Sequence, residues 1–162
     1  MFRPMRRHKQ LLSMEGTKAV LDRCTSGVLS CIGDNDYPYG IPLSYIYYND
    51  RIYFHCGKEG HKIDAIRKNP KVSFTVIDAD KIVSAEYTSY FRSVIAFGKA
   101  RVTEGDEWLK AFTVLCDKYS GDRSKEEIDK KILGCTRSHV IAIDIEHITG
   151  KEAIELVNTR EN

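Results

Sequence analysis

The residues best suited to chemistry lie in the stretch 51–70, where a predicted strand gives way to a predicted helix. Gly57 and Gly60 bracket a polar loop, and His61 and Lys62 follow in the first helical turn. Backbone N–H groups in that turn have no partners within the helix, and the helix dipole adds positive charge there. A phosphate would therefore meet oriented donors and a full cation. An ordinary strand–helix connection with a solvated lysine has the same pattern, so both interpretations stay open.

Two further reactive side chains, His55 and Cys56, precede this loop. With His61 they could be drawn as metal ligands, but their spacing fits no usual zinc pattern, so we predict no metal site. Cys56 with a histidine base would be a nucleophile, yet nothing in the sequence orients such a base. Nucleophile-elbow, Walker and dinucleotide-binding motifs are absent.

Composition sets broad limits on the class of protein. The 162 residues are 42% hydrophobic and 30% charged, as is usual for one globular domain. The net charge of +2 does not indicate nucleic-acid binding, and there is no apolar run of about 18 residues to span a membrane. An odd number of cysteines, five, argues against a disulfide framework. We expect a single cytoplasmic domain over 1–162, with an N-terminal arm at 1–10, a charged tail at 154–162, and no nucleic-acid or membrane partner.

The elements that must position these residues are mostly strands. The segment 37–48 is aromatic and β-branched, but Pro38 and Pro42 remove ladder donors, which predicts a bent or edge strand with free backbone groups. Asn49 and Asp50 predict a tight hairpin. Other patterns predict helices at 14–23, 105–119 and 126–133, strands at 27–32, 71–78, 88–102 and 139–148, and a loop at 79–87.

Two residues in the strand 88–102 stand out from its apolar pattern. Gly98 predicts a bulge, and Arg92 either faces solvent or pairs with an anion. The stripe of Trp108, Phe112, Leu115 and Tyr119 in the following helix is typical of core packing. Tight turns join the first strands, so their neighbours are antiparallel. The pattern predicts a mainly β protein with six antiparallel strands in a small barrel.

Several motifs occur in an order and spacing that a known family shares. They are Met5-Arg6-Arg7, Gly27-Val28-Leu29, Pro42-Leu43-Ser44-Tyr45, Ile52-Tyr53-Phe54-His55, Gly60-His61-Lys62, Asn69-Pro70-Lys71-Val72, Tyr90-Phe91-Arg92-Ser93-Val94 and Ile148-Thr149-Gly150-Lys151. Over about residues 5–153 the chain resembles the flavin-binding split-barrel proteins related to pyridoxamine 5'-phosphate oxidase. Within them it is most similar to the 5-nitroimidazole resistance proteins.

The resemblance implies a six-stranded Greek-key split barrel that forms a homodimer with FMN at the subunit interface. The resemblance also assigns four groups of cofactor-binding residues. The phosphate side is the segment Gly60, His61 and Lys62, and the isoalloxazine edge is the strand Pro42, Leu43, Ser44 and Tyr45. The neighbouring strand ends with His55 and Cys56, and a strand with Tyr90, Arg92 and Ser93 approaches from the partner subunit. A histidine near the flavin is implied for reduction, with His61 the catalytic candidate and His55 second.

True pyridoxamine 5'-phosphate oxidases carry their substrate-phosphate residues toward the C-terminus of longer chains. We find no such residues in this sequence, whose tail from Glu152 to Asn162 is short and charged, so we do not expect pyridoxamine phosphate oxidation. The resemblance therefore implies an FMN-dependent oxidoreductase that reduces a small flat electron acceptor such as a nitroaromatic. One alternative is a binding or storage protein of the same fold for flavin, deazaflavin or haem, with His55, His61 or His139 as an axial ligand. Another is a dimer whose barrel is only structural.

Overall fold

A computed structural model describes residues 1–135 and 138–160 of the chain. The strands are β1 (Ser26–Ile32), β2 (Pro38–Ser44), β3 (Ile46–Tyr48), β4 (Arg51–Cys56), β5 (Lys71–Val83), β6 (Thr88–Val102) and β7 (His139–Glu152). The helices are α1 (Met14–Arg23), α2 (His61–Lys68), α3 (Gly105–Ser120), α4 (Lys125–Gly134) and α5 (Ile154–Arg160). No helix in the described ranges combines the length and apolar character needed to cross a membrane.

The strands form one antiparallel sheet, in which the hydrogen-bonded order is β2-β1-β5-β6-β7-β4-β3. The prediction of a mainly β, antiparallel fold is confirmed. The prediction of a six-stranded split barrel is not confirmed in detail, because the described residues form seven strands in an open sheet with β2 and β3 at its edges.

The extra strand arises within the segment predicted as one bent strand, which breaks at Tyr45. Tyr45 is fully buried and separates β2 from β3. The two edges of the sheet are therefore consecutive in the chain, and a single residue joins them. The sheet must curl back on itself at this corner even though no ladder closes it.

Elements that depend only on the local sequence were predicted well. Helix α1 has the predicted bounds, and Asn49 and Asp50 form the hairpin turn with φ values of 48° and 57°. The register between β6 and β7 shifts at Phe97 and Gly98, which confirms the predicted bulge. Alternation in β5 places Val72, Phe74 and Val76 in the core.

Three segments differ from prediction. The predicted loop at 79–87 is mostly strand, because β5 continues to Val83 in register with β6. Strand β7 also extends past the predicted end to Glu152, and residues of the predicted tail form α5. The N-terminal arm is anchored at its end, where Gln10 is buried and the backbone N–H of Leu12 donates to the carbonyl oxygen of Gly150.

The described residues form two apolar clusters. The larger lies inside the curled sheet and under α1 and α2, with Leu21, Phe54 and Phe74 among its fully buried side chains. The smaller joins α3 and α4 to the other side of β4 and β7 through residues such as Phe112 and Val140. The second cluster positions α3 and α4 beside the ends of β2 and β4.

Candidate functional site

Helix α2 begins with an open, uncapped turn. Gly60 adopts φ 119° and ψ 167°, a left-handed conformation that favours glycine, and no side chain caps the helix. Its carbonyl oxygen accepts hydrogen bonds from the backbone N–H groups of Ile63 and Asp64, at 2.8 and 3.1 Å. The preceding N–H groups, of His61 and Lys62, have no intrahelical acceptor. They are the donors that an anion would use.

Lys62 links this turn to the end of β4. Its Nζ lies 5.5 Å from the centroid of the Phe54 ring. Burial lowers the pKa of His55, and the positive charges of Lys62 and Lys131 lower it further. Burial raises the pKa of the Cys56 thiol, an effect that the charge of Lys62 opposes. The sequence-predicted residues His55, Cys56 and Lys62 therefore share one electrostatic environment.

A cavity of about 300 Å³ opens beside His55. Its walls include Ser44 from the end of β2, His55 from β4, Phe112 and Leu115 from α3, and Lys131 from α4. The His55 ring meets the Phe112 ring edge to face, with centroids 6.0 Å apart. Two of the predicted cofactor-binding residues, Ser44 and His55, thus come together on one cavity with an apolar wall and a cation at its rim.

Tyr45 belongs to the framework of this cavity. Its hydroxyl donates to the carbonyl oxygen of Leu21 at 2.7 Å, and burial raises the pKa of this phenol. The Tyr119 hydroxyl accepts from the backbone N–H of Tyr45 at 3.0 Å and lies 2.7 Å from its carbonyl oxygen. Of the four predicted residues in this strand, Pro42 and Ser44 are exposed and Leu43 is half-buried.

His61 lies at the other end of β2. Its ring stacks on Tyr39, with centroids 4.2 Å apart, and its Nε2 accepts a hydrogen bond from the backbone N–H of Asp34 at 3.2 Å. Tyr39 and Ser44 are separated by about 17 Å along the strand. The structure therefore brings His55, rather than His61, to the cavity, while His61 remains at the start of α2.

Arg92 is engaged inside the protein, where it pairs with carboxylates. Its Nε donates to buried Glu152 at 2.9 Å, and a terminal nitrogen donates to Asp78 at 3.1 Å. Hydrogen bonds from Arg23 and Arg92 to Asp78 lower the pKa of that carboxyl to about 2. This ion-pair network stabilises the pairing of β5 with β6. Arg92 therefore does pair with anions, but these anions are carboxylates of the protein itself.

The other predicted residues of β6, Tyr90 and Ser93, are half-buried like Arg92. The Tyr90 hydroxyl donates to Glu86 at 2.8 Å, and Ser93 lies in register with Ile77 and Lys151. Neither lies on the wall of the cavity beside His55. No group of three or more histidine, cysteine, aspartate or glutamate side chains is arranged to hold a metal ion in the described part of the chain.

A family model described as pyridoxamine 5'-phosphate oxidase matches residues 14–152. The chain belongs to the pyridoxamine 5'-phosphate oxidase family. This confirms the resemblance that the motifs indicated, and the match spans every strand.

Individual relatives of this pyridoxamine 5'-phosphate oxidase family member are distant. An uncharacterized protein of Rhizobium meliloti is 27% identical over 154 residues, 89% of this chain and 95% of the relative. A candidate 5-nitroimidazole antibiotic resistance protein from Bacteroides thetaiotaomicron shares the fold, with a TM-score of 0.71 and 21% identity over 88% of this chain and 86% of that one. A FAD-binding protein from Mesorhizobium loti superposes with a TM-score of 0.61 and 24% identity, covering 88% and 96%.

Sequence reasoning missed the helical wall of the cavity in this family member. The stripe of α3 was predicted to be core, and Phe112 and Leu115 are indeed buried. The same two side chains line the cavity, together with Lys131 of α4. The periodicity of a helix identifies its apolar face but not the gap between that face and a strand end, so no sequence signal could have located this wall.

Proposed function

We propose that this protein is an FMN-dependent oxidoreductase that reduces a small flat electron acceptor. The observation that carries the proposal is the juxtaposition at the end of β4. The cavity lined by Ser44 and His55 opens at the end of β4, and the charge of Lys62, in the first turn of α2, lowers the pKa of His55. A cavity with an apolar wall and a cationic helix start that both act on this strand end suit the two parts of a ligand that has a flat ring system and a phosphate.

The donor set fits a phosphomonoester. The free N–H groups at His61 and Lys62 and the Lys62 ammonium offer hydrogen bonds that are strongest to an anion. A Cβ placed on Gly60 would meet nothing within 4 Å, so the approach to the turn is open. Lys62, His61 and Gly60 are proposed to hold the phosphate of FMN, with Cys56 beside its ribityl chain.

The ring system is proposed to lie along the β2 end of the cavity. Ser44 supplies a hydroxyl. Pro42 and Leu43 lie on the edge strand β2, which has backbone groups free of the ladder apart from the N–H that proline lacks. Phe112 and Leu115 supply the apolar wall. Bound flavin would supply the electron-transfer chemistry, and the protein would orient it and exclude water.

His55 is proposed as the histidine that faces the reacting part of the flavin, and His61 as a residue beside the FMN phosphate. Because its pKa is lowered, His55 is mainly neutral near pH 7 and presents one N–H donor and one acceptor nitrogen to the cavity. The stack on Tyr39 and the bond from Asp34 fix the His61 ring at the other end of β2. Of the two positions, only that of His55 adjoins the space where an acceptor would enter.

A homodimer is proposed through the outer face of the sheet. Two rows of paired residues cross five strands without any lysine, arginine, aspartate or glutamate: Pro42, Val28, Thr75, Ile95 and Thr149, then Gly40, Ser30, Ser73, Phe97 and His147. Ile95 and Phe97 are each 39% exposed. We call these rows the uncharged sheet face, and such a face suits a self-complementary contact between two copies.

The dimer would also bring β6 toward the flavin of the other subunit. Ser93 and Lys151 are adjacent in register beyond the end of the uncharged sheet face. Tyr90 lies three residues before Ser93 on the same strand. These residues are therefore proposed to approach the partner's site, whereas Arg92 keeps its role in the ion-pair network with Asp78 and Glu152.

The proposal is tested by purifying the protein and recording a visible spectrum before and after addition of FMN. Flavin absorbance that survives gel filtration, and a melting temperature that rises with FMN concentration by mass action, are expected. Reduction of the bound flavin should then pass electrons to a nitroaromatic acceptor. A colourless protein that takes up no FMN and melts at the same temperature with and without it would overturn the proposal.

A haem-binding function is the second candidate. It is favoured by His55 alone, since a neutral imidazole facing a cavity is the form that ligates iron. Titration with haemin would then produce a Soret band that His55→Ala removes, whereas His61→Ala and His139→Ala retain it. A Soret band without dependence on His55 would argue for non-specific haem adsorption.

A further inference from the structure

The cavity beside His55 has polar groups that the flavin assignment does not use. Lys131 of α4 and Ser120 at the end of α3 line it together with Ser44 and His55. Because the flavin rings are proposed to lie along the β2 end, the lining that the two helices contribute remains for a second molecule. The chemistry of that lining indicates what the second molecule is.

The charge of this lining is positive. Lys131 is a cation, whereas no aspartate or glutamate of the described chain lines the cavity. The carboxylate of Asp117 acts on the Cys116 thiol but is not part of the lining. His55 is mainly neutral near pH 7, since burial and neighbouring cations lower its pKa. A negatively charged ligand would therefore meet one countercharge and no repelling carboxylate on these walls.

The ammonium group of Lys131 is not used by the protein. No ion pair engages it among residues 1–135 and 138–160. Glu127, one turn earlier on α4, instead accepts from the backbone N–H and the hydroxyl of Ser124, at 2.9 and 3.0 Å. Burial raises the pKa of the Cys116 thiol, and the charge of Lys131 opposes this rise. The same charge contributes to the lowered pKa of His55, so Lys131 acts on two residues of the cavity wall.

The apolar wall of the cavity suits a planar ring. Phe112 is buried, and its ring is held between two others. The Trp108 ring stacks on it with centroids 5.1 Å apart and an interplanar angle of 6°, and the His55 ring meets it edge to face. A fixed aromatic side chain beside Leu115 offers a surface on which another flat ring packs well.

We propose that the electron acceptor of this site is a planar organic anion, such as an aromatic carboxylate with a reducible group, whose charge pairs with Lys131 and whose ring packs against Phe112 and Leu115. This inference rests on the proposed function and extends it by specifying the charge of the substrate. A neutral acceptor of the same shape would fit the same wall but would leave Lys131 without a partner. Charge therefore decides between acceptors of equal size.

Benzoate and benzamide test this inference, because they are nearly equal in size and shape and differ in charge. Each is titrated into the full chain by calorimetry, with and without saturating FMN. The fluorescence of Trp108, the single tryptophan, is a second readout of occupancy beside Phe112 in the FMN-free chain. Benzoate should bind at least about fivefold more tightly than benzamide, and the preference should shrink as salt is added. In the FMN-saturated chain the start of α2 is occupied by the proposed phosphate, so benzoate bound there is excluded.

Lys131→Met should lower the affinity for benzoate to that for benzamide and leave benzamide binding unchanged. Lys130→Met is the matched control. It removes an exposed cation from the neighbouring position of the same helix, which does not line the cavity, and should preserve the preference. Both side chains are exposed, so neither substitution should unfold the protein.

Two results would overturn the inference while leaving the flavin proposal intact. They are equal affinities for benzoate and benzamide in a chain that binds FMN, and a preference for benzoate that persists in Lys131→Met. A chain that takes up no FMN would instead overturn the proposed function. Benzoate binding that depends on Lys131 in such a chain would still support an anion site in this cavity.

Discussion

The hydroxyl oxygen of Tyr119 lies 3.0 Å from the backbone nitrogen of Tyr45 and 2.7 Å from its carbonyl oxygen. One side chain of α3 thus accepts from the N–H of the residue that separates β2 from β3, and its single hydroxyl hydrogen is shared between the carbonyl oxygens of Tyr45 and Thr25. The phenol belongs to the wall of the cavity that also includes Ser44 and His55. The geometry of the proposed flavin site therefore depends on how α3 is docked.

Replacing Tyr119 with Phe should lower the free energy of unfolding by about 1–3 kcal/mol, because the Tyr45 N–H loses its acceptor and the carbonyl oxygens of Tyr45 and Thr25 lose a shared donor. Urea denaturation followed by circular dichroism measures this. Tyr37→Phe is the matched control, since Tyr37 is 73% exposed and its hydroxyl should contribute little. Equal stability of the two variants would show that the Tyr119 contacts do not hold this corner.

Lys62→Ala should weaken FMN binding by roughly 1.5–3 kcal/mol, because it removes a charge-assisted contact to the proposed phosphate. In dissociation constants this corresponds to roughly 10- to 150-fold, which fluorescence quenching of the flavin resolves. Lys68→Ala, in the last turn of the same helix, removes an equal charge away from the anion site and is the control. If both variants bind FMN as the unsubstituted chain does, the phosphate lies elsewhere.

His55 and His61 should affect different steps. His55→Ala is expected to slow electron transfer to a nitroaromatic acceptor with a small change in FMN affinity, and His61→Ala is expected to weaken FMN. Because the pKa of His55 is lowered, a rate that needs its neutral form should reach its plateau at a pH below that of an ordinary histidine. Stopped-flow reoxidation of reduced flavin at several pH values measures both effects. The reverse assignment would return the catalytic role to His61.

Stability should depend on Asp78 in acid. The folded pKa of Asp78 is lowered to about 2, so its ion pairs contribute fully above the unfolded pKa near 4 and are lost as the pH falls toward 2. The contribution is on the order of 2 kcal/mol, by the difference of the two pKa values. Unfolding free energies measured from pH 6 to pH 2 should fall less steeply for Asp78→Asn. Parallel curves for the two proteins would contradict the ion-pair account.

Ile95→Lys should separate the proposed dimer, because it buries an unpaired charge in the uncharged sheet face. Sedimentation equilibrium should then report a monomer, with FMN binding weakened alongside. Ile82→Lys introduces the same charge outside the two rows, at a residue that is 77% exposed, and should leave the dimer intact. A dimer that survives Ile95→Lys must use another surface.

Some features were predictable because the deciding chemistry is local. Gly60 at the start of α2 and the Asn49–Asp50 turn need backbone conformations that few residues adopt, so their types reveal them. The break at Tyr45 depends instead on Tyr119, 74 residues away in the chain. The partners of Arg92 likewise follow from the registers of β6 with β5 and with β7, which no local pattern specifies.

The cavity beside His55 was beyond sequence reasoning for a related reason. His55 and Ser44 were both assigned through the family resemblance, but their meeting point requires α3 and α4 to dock against the strand ends. The histidine with the stronger motif, His61, has its ring held by Tyr39 and Asp34. The motif around His61 is strong because the turn at the start of α2 needs a special conformation. Whether a histidine can reach a ligand depends instead on how the helices pack against the strands.

The covalent link between the two sheet edges restricts where the chain can lengthen. Because Tyr45 alone spans from Ser44 to Ile46, an added residue there would let the ends of the sheet drift apart and open the interior to water. The hairpin at Asn49 and Asp50 does not have this restriction, because the two strands that it joins, β3 and β4, are already hydrogen-bonded to each other. Added residues should therefore be tolerated at the hairpin and not at the corner.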